Sequence, residues 1–253
     1  MKKLRSALVL PLLFTFGVSS QAHFLELLPA KALYFNADGG EVGLDILFGH
    51  PYYGVVLKAD APTEVTVLDP DGNTTGLTVK DDGNSKYFTS FDVKGPGDYT
   101  VVAKGAPFYE SEEGLFIKQT SKVVVNAGGI EGAWNKPVGL PIEIVPLSRP
   151  YGLWAGSSFS AMVFVDGKPA PHVKVEITLA RGSEKLPELS ELHDVATLYT
   201  DGVGMFTVSL PVAGWWGLSA ISLPEETMKA PDGKEVPVEL DGLIWIYADS
   251  LSN

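Results

Sequence analysis

Residues 61–72 have the sequence APTEVTVLDPDG, and residues 96–102 have the sequence PGDYTVV. Each stretch joins a run of alternating or β-branched residues to a turn signal containing Pro and Gly, which predicts a short β-strand next to a tight turn. Similar runs recur in both halves of the chain, at residues 43–48, 121–125, 142–145, 158–165, 173–179, 204–210 and 243–247. The sequence therefore predicts an all-β protein whose strands pack as β-sandwiches.

A few segments depart from this strand pattern. Residues 186–198 and residues 224–229 are the stretches that favour short helices. The segment 127–139 is rich in glycine and follows a strand-like run, so we interpret it as a linker. We therefore expect two β-sandwich domains in tandem, one over residues 23–126 and one over residues 140–253.

The first residues have the pattern of an export signal. Three basic residues precede an apolar run over residues 7–18, and Ser20 and Ala22 place small side chains at the −3 and −1 positions of a cleavage site. This three-part pattern predicts a signal peptide over residues 1–22. The apolar run is too short to span a bilayer, which takes about 20 residues. We expect a periplasmic protein whose mature chain begins at His23.

The composition excludes several classes of function. The chain has no cysteine, which excludes disulfides, thiolate metal sites and thiol nucleophiles. Its formal net charge of −12 predicts a surface that repels nucleic acid and attracts cations. The sequence contains no GxSxG, HExxH or P-loop motif. We therefore expect a binding protein and not an enzyme.

Without cysteine, a nitrogen-rich metal site must use the histidines. A histidine at the first position of a chain offers its α-amine and its Nδ1, which together close a chelate ring on a metal ion. The α-amine has an unperturbed pKa near 8 and loses its proton readily to a metal. His23 would take this role, and His50, flanked by Gly and Pro in a turn after a strand, would add a second imidazole. Three nitrogens of this kind suit Ni(II) or Cu(II).

The other two histidines are weaker candidates. His193 precedes an aspartate in an acidic segment and could supply a third imidazole, although a solvated loop is the alternative. His172 follows two prolines and is predicted to be a turn residue.

Some carboxylates stand in unusual surroundings. Glu26 and Glu143 lie in apolar strand runs, where they could face a metal ion or an arginine such as Arg149. Strand alternation favours a position in water for both of them. The acidic run at residues 110–113 is predicted to be a solvated loop.

Several motifs carry resemblances to known families. Residues 61–72 and 96–102 together resemble an immunoglobulin-like domain. In the second half, residues 164–169, 173–177, 200–206 and 211–216 together resemble the carboxypeptidase-regulatory-like β-sandwich. Domains of these two kinds usually have binding or structural roles and seldom catalyse reactions, so the resemblance implies a binding role.

A third resemblance is more specific. Ala-His-Phe at the expected cleavage point, Gly-His-Pro-Tyr at residues 49–52 and the sandwich motifs together resemble the periplasmic NikK-like components of energy-coupling-factor nickel and cobalt transporters. The resemblance spans most of the mature chain. It implies that His23 and His50 bind Ni(II) or Co(II), and that the protein hands the ion to a membrane transporter component.

Two alternatives remain open at this point. An N-terminal histidine paired with an internal one on a β-sandwich is also the Cu(II) arrangement of lytic polysaccharide monooxygenases, which need a flat aromatic surface such as Tyr52, Tyr53, Trp134 and Trp154 could provide. The second alternative is a structural or adhesive sandwich without a metal, with an interface built from aromatic residues such as those at 215–216.

Overall fold

The computed structural model describes residues 22–34, 40–181 and 194–251, and strands dominate these residues. In chain order the strands are β1 (Phe24–Pro29), β2 (Leu33–Tyr34), β3 (Gly40–His50), β4 (Val55–Val56), β5 (Glu64–Leu68), β6 (Thr74–Gly76), β7 (Lys80–Asp81), β8 (Tyr87–Val93), β9 (Gly97–Lys104), β10 (Phe108–Glu110), β11 (Leu115–Ala127), β12 (Ile142–Pro146), β13 (Leu153–Trp154), β14 (Ser158–Val165), β15 (Lys168–Pro169), β16 (Lys174–Ala180), β17 (Val195–Tyr199), β18 (Met205–Ser209), β19 (Gly214–Ser222), β20 (Thr227–Lys229) and β21 (Glu235–Asp249). A 3₁₀ turn over Pro51–Tyr53 separates β3 from β4. The predicted all-β class is confirmed. Within these ranges no helix has the length and hydropathy of a membrane span.

The strands form three layers. The middle layer is a long sheet with the order β17-β16-β19-β21-β11-β9-β5-β6, and β2, β10, β13 and β20 pair at its margins. The sheet β1-β3-β8-β7, with β4, encloses the first core with one half of this layer. The sheet β12-β14-β15, with β18, encloses the second core with the other half. Each pair of layers is a β-sandwich, which gives the tandem immunoglobulin-like architecture.

The two sandwiches share one continuous sheet because β11 and β21 pair in parallel over eight residue pairs. Successive side chains of a strand point to opposite faces. On β21, Leu243 and Trp245 therefore join the first core, whereas Ile244 and Ile246 join the second. The last strand of the chain thus serves both cores, a feature that the sequence did not indicate. The predicted domain boundaries at residues 126 and 140 stay predictions.

The segment at 127–139, which we interpret as a linker, is fixed to the first sandwich by two buried side chains. Asn126 donates from Nδ2 to Asp98 Oδ1 at 2.7 Å. The other oxygen of Asp98 accepts the backbone N–H groups of Gly132 and Trp134 at 2.8 and 3.1 Å. Buried carboxylate oxygens are costly when they lack partners. These bonds therefore favour one position for the segment.

A buried ion pair joins the two sandwiches. Lys122 of β11 donates from Nζ to the carboxylate of Glu143 on β12, and each side chain is 2% exposed. The same carboxylate accepts the backbone N–H groups of Val138 and Gly139 at 2.9 and 3.0 Å. The prediction that strand alternation places Glu143 in water is wrong, because its side chain lies against Lys122 instead of solvent.

The corresponding prediction for Glu26 is also wrong. Glu26 is buried in the middle of β1, a strand with both faces covered. Burial raises the pKa of Glu26 to about 7, and the negative charge of Asp45 acts in the same direction. The folded protein therefore favours the protonated form of this carboxyl group.

Replacing Glu26 with glutamine is expected to stabilise the protein at pH 8 and to have little effect at pH 4. A carboxyl group whose pKa is raised on folding contributes its stability below the unfolded pKa, near 4, and loses it as the pH rises through the folded pKa, about 7. A shift of this size corresponds to roughly 3–4 kcal/mol. Urea unfolding at both pH values would measure the difference between wild type and E26Q. An equal stability of the two proteins at pH 8 would contradict the expected cost of ionising Glu26.

The two helix predictions are not confirmed. Thr227–Lys229 forms β20, which pairs with β21 in an antiparallel hairpin, so the helix prediction at 224–229 is wrong. Pairing with β21 gives the backbone N–H and C=O groups of this segment hydrogen-bond partners. A helix of only six residues would instead have to overcome the unfavourable free energy of helix nucleation. Of the segment 186–198, residues 186–193 lie outside the described residues, and the remainder belongs to β17 apart from Asp194.

Candidate metal centre

His23 immediately precedes β1, and several contacts fix that strand. Phe24 is fully buried against Trp245, with ring centroids 6.1 Å apart in an edge-on arrangement. Trp245 donates from Nε1 to the Leu25 carbonyl at 3.0 Å. Gln119 donates to the His23 carbonyl and accepts the Leu25 N–H, each at 2.6 Å. The strand expected after His23 is therefore present, and it gives the backbone of His23 a defined position.

His50 is the last residue of β3, and its position depends on Gly49. A Cβ atom at Gly49 would lie 2.0 Å from the carbonyl oxygen of Val55, so a larger residue would push β4 away from β3. The 3₁₀ turn begins at Pro51 and ends at Gly54, whose φ of 63° is in the left-handed region that favours glycine. His50 is thus held between a strand and a tight turn.

The antiparallel pairing of β1 and β3 brings the two histidines together. Phe24 lies opposite Gly49 in the register, which places the residue before β1 beside the residue that ends β3. The ring centroids of His23 and His50 are 4.7 Å apart, with an angle of 57° between the rings. The structure therefore makes neighbours of two predicted ligands that lie 27 positions apart in the sequence.

Two phenylalanines form an apolar wall around this pair. Phe48 stacks on His23 with ring centroids 5.6 Å apart and nearly parallel planes, and Phe108 lies at the same distance from His23. Burial lowers the pKa of both His23 and His50, and the neighbouring His50 adds to the effect on His23. The negative charge of Glu110 opposes this lowering. The site therefore favours neutral imidazoles, the form that binds metal ions.

Glu110 also belongs to this cluster, although the sequence did not predict it. Its Oε2 lies 3.3 Å from His23 Nε2, and its side chain is 15% exposed. The prediction of a solvated loop over 110–113 is wrong for this residue, whereas Glu112 and Glu113 are exposed. Glu110 ends β10, whose pairing with β11 places its side chain against His23. The only signal for this strand in the sequence is the pair of aromatic residues before Glu110.

The imidazole of His50 has one buried nitrogen without a partner, as do six other buried polar side-chain atoms of the described residues. Its Nε2 is buried and has no hydrogen-bond partner among the described residues. A buried polar atom without a partner costs about 1–3 kcal/mol. Such an imidazole nitrogen is available to an ion that accepts an electron pair.

The side chains alone do not form a complete metal site. Over the described ranges, no group of three or more His, Asp or Glu residues is arranged to hold a metal ion. A site at His23 and His50 therefore needs a donor from outside these side chains. The α-amine of a chain that begins at His23 would be such a donor.

The remaining two histidines have different positions. His193 lies outside the described residues, and its role as a third ligand stays a prediction. Asp194, the next residue, accepts a hydrogen bond from the hydroxyl of Tyr53, so the second sandwich contacts the turn that follows His50. His172 is an exposed turn residue with φ of 59°, in agreement with the sequence-based prediction.

Comparisons with known proteins give a family. The family model for a domain of unknown function, DUF4198, matches residues 20–223. No curated protein matches the sequence. Similar solved structures are the D0–D1 domain of intimin, with 14% identity over 90% of this chain and 100% of that one, and the tandem immunoglobulin domains of titin, with 10% identity over 88% and 98%. Their TM-scores of 0.27 and 0.22 are too low for these matches to carry any argument.

Proposed function

The chain belongs to the DUF4198 family, and we propose from the geometry of His23 and His50 that it binds a transition-metal ion, Ni(II) or Co(II), and delivers it to a membrane uptake system. The proposed compartment is the periplasm, on the basis of the signal-like sequence over residues 1–22. The membrane component is proposed from the resemblance to nickel and cobalt transport accessories.

One observation carries the proposal. The buried Nε2 of His50, which has no partner among the described residues, belongs to a ring 4.7 Å from that of His23. Adjacent imidazoles that are both biased towards the neutral form offer lone pairs to one ion.

The donor set indicates the class of ion. The α-amine and Nδ1 of His23 would form a chelate ring, and His50 would add a third nitrogen. Imidazole ligands suit Ni, Co, Cu and Zn, whereas a chain without cysteine offers no soft thiolate. The acidic residues nearby, Glu110 and Glu113, favour a cation over a neutral ligand, because both act electrostatically on His23.

The proposal is binding and not oxidative catalysis on a glycan. Tyr52 is buried, and Trp154 pairs with the last residue of β21. Gln119, which bonds to the backbone of His23, pairs with Asp241 of the same strand. Asp241 lies eight residues before Asp249, the partner of Trp154. At about 3.3 Å per residue, these two positions on β21 are about 26 Å apart. Tyr52 and Trp154 therefore do not belong to a flat aromatic surface around the histidine pair.

Replacing His50 with alanine is expected to weaken Ni(II) and Co(II) binding by at least about tenfold, or about 1.4 kcal/mol. The variant removes one nitrogen donor and leaves His23 in place. Calorimetric titration of the mature chain would measure the change.

His172→Asn is the matched control, because asparagine tolerates the positive φ at this exposed position. The control is expected to bind like the wild type. Wild-type protein that binds neither ion would exclude the proposed function. Equal binding by H50A and the wild type would exclude His50 as a ligand.

A further inference from the structure

Glu110 lies against the side of His23 that a chelated ion would leave free. We infer that Glu110 is a positioning residue, whose carboxylate holds the proton of His23 on Nε2 and so leaves Nδ1 free to bind the ion together with the α-amine. This inference rests on the proposed metal-binding function and assigns a role to a residue that the sequence analysis placed in a solvated loop.

The carboxylate of Glu110 is placed next to one nitrogen of His23. Its Oε2 lies 3.3 Å from His23 Nε2, where the negative charge acts electrostatically on the ring without a well-aligned hydrogen bond. The other oxygen, Oε1, accepts the backbone N–H of Glu112 at 2.9 Å. This bond restrains the carboxylate so that Oε2 stays directed at the imidazole.

The surroundings of Glu110 hold it in place. Glu110 ends β10, and all three residues of that strand pair with β11. Phe108 of the same strand packs against the rings of both His23 and Phe48. A shift of Glu110 would therefore disturb the apolar wall of the site. An exposed carboxylate on a long loop would not have this constraint.

The two nitrogens of the His23 imidazole have different roles. A neutral imidazole carries one proton, and the nitrogen without the proton is the one that binds a metal. The α-amine and Nδ1 of a terminal histidine can close a small chelate ring, whereas Nε2 lies on the far side of the ring. A carboxylate beside Nε2 favours the N–H there, as carboxylates do behind metal-binding histidines in other proteins.

The two histidines differ in this respect. His23 Nε2 has a carboxylate beside it, whereas His50 Nε2 is buried without a partner among the described residues. A nitrogen with an anionic neighbour is suited to carry a proton, and one without an acceptor is suited to receive an ion. The structure thus assigns the metal-facing atoms as Nδ1 in His23 and Nε2 in His50.

The experiment uses Cu(II) as a spectroscopic probe on the mature chain beginning at His23. Affinity would be measured by competition titration, and the number of nitrogen donors by electron paramagnetic resonance. Glu110→Ala is expected to weaken binding by about 10- to 100-fold, the usual cost of losing such an outer partner. Glu110→Gln is expected to show a smaller loss, because its amide oxygen still carries a partial negative charge beside Nε2. Glu112→Gln is the control, since Glu112 is exposed and its loss changes the net charge equally.

The spectra separate positioning from direct coordination. An unchanged donor pattern in E110A, with weaker binding and partial recovery in E110Q, supports the inference. Wild-type affinity in E110A, or a changed donor pattern in that variant, overturns it. If E110A binds normally while H50A does not, only the inference fails. If the wild type binds no ion, the inference fails together with the proposed function. Thermal unfolding of each variant would show that the fold is retained.

Discussion

Lys122→Met is expected to lower the free energy of unfolding by about 3–5 kcal/mol. Lys122 and Glu143 are each 2% exposed and contact each other where the two sandwiches meet. Burial acts to lower the pKa of Lys122, and the nearby carboxylate of Glu143 opposes that effect. Removing the lysine leaves a buried carboxylate whose remaining partners are backbone N–H groups. Urea unfolding at pH 7 would measure the loss.

A double variant tests whether the loss comes from the unpaired charge. Lys122→Met combined with Glu143→Gln removes both charges, while the glutamine oxygen can still accept the N–H groups of Val138 and Gly139. Replacing both partners of a buried pair is often close to neutral. We therefore expect the double variant to recover most of the stability. A single-variant loss below about 1 kcal/mol would show that this ion pair is not important for joining the sandwiches.

Moving the α-amine away from His23 is expected to weaken metal binding by about a hundredfold, or about 2.7 kcal/mol. The change is a ten-residue Gly-Ser tail placed ahead of His23. The tail leaves the imidazole in place but separates it from the free amine. When both donors belong to one residue, the effective concentration of the second donor at the bound ion is high. The tail removes this advantage because it moves the amine away from the His23 imidazole. Co(II) titration of the mature and tailed chains would measure the loss.

The pH dependence of this binding gives an independent check. The α-amine must lose its proton to bind an ion, and its unperturbed pKa is near 8. Affinity of the mature chain is therefore expected to rise between pH 6 and pH 8 more steeply than that of the tailed chain. The tailed His50→Ala chain is the control and should bind least. Equal binding by the mature and tailed chains would show that the terminal amine is not a ligand.

Local sequence patterns predicted the features that depend on neighbouring residues. Alternation over residues 64–68 and the β-branched run at residues 99–103 predicted strands that are present as β5 and β9. The sequence also predicted a strand after His23 from its run of apolar residues. It predicted a turn at His50 because glycine permits the backbone angles of a tight turn and proline fixes its own φ. The all-β class follows from many such local signals that agree with each other.

Part of the candidate site could also be predicted in this way. A histidine at an expected cleavage point has its chelating chemistry irrespective of the fold, so His23 was identifiable. Glu110 was not, because its approach to His23 bridges 87 positions in the sequence. The acidic run at residues 110–113 would have the same sequence if all of its side chains were in water. The sequence therefore does not show that one of them, Glu110, lies at the site.

The sequence by itself determined the strand class, the absence of thiol chemistry and the histidines available to a metal ion. Tertiary structure alone decided which polar groups are buried and which residues meet. Strand alternation divides side chains between two faces, but it does not show whether a face is covered, and so Glu26 and Glu143 were wrongly expected in water. The parallel pairing of β11 with β21 likewise depends on a register between distant segments. No local pattern encodes such a register, because it is fixed by the cores that form on both sides of the shared sheet.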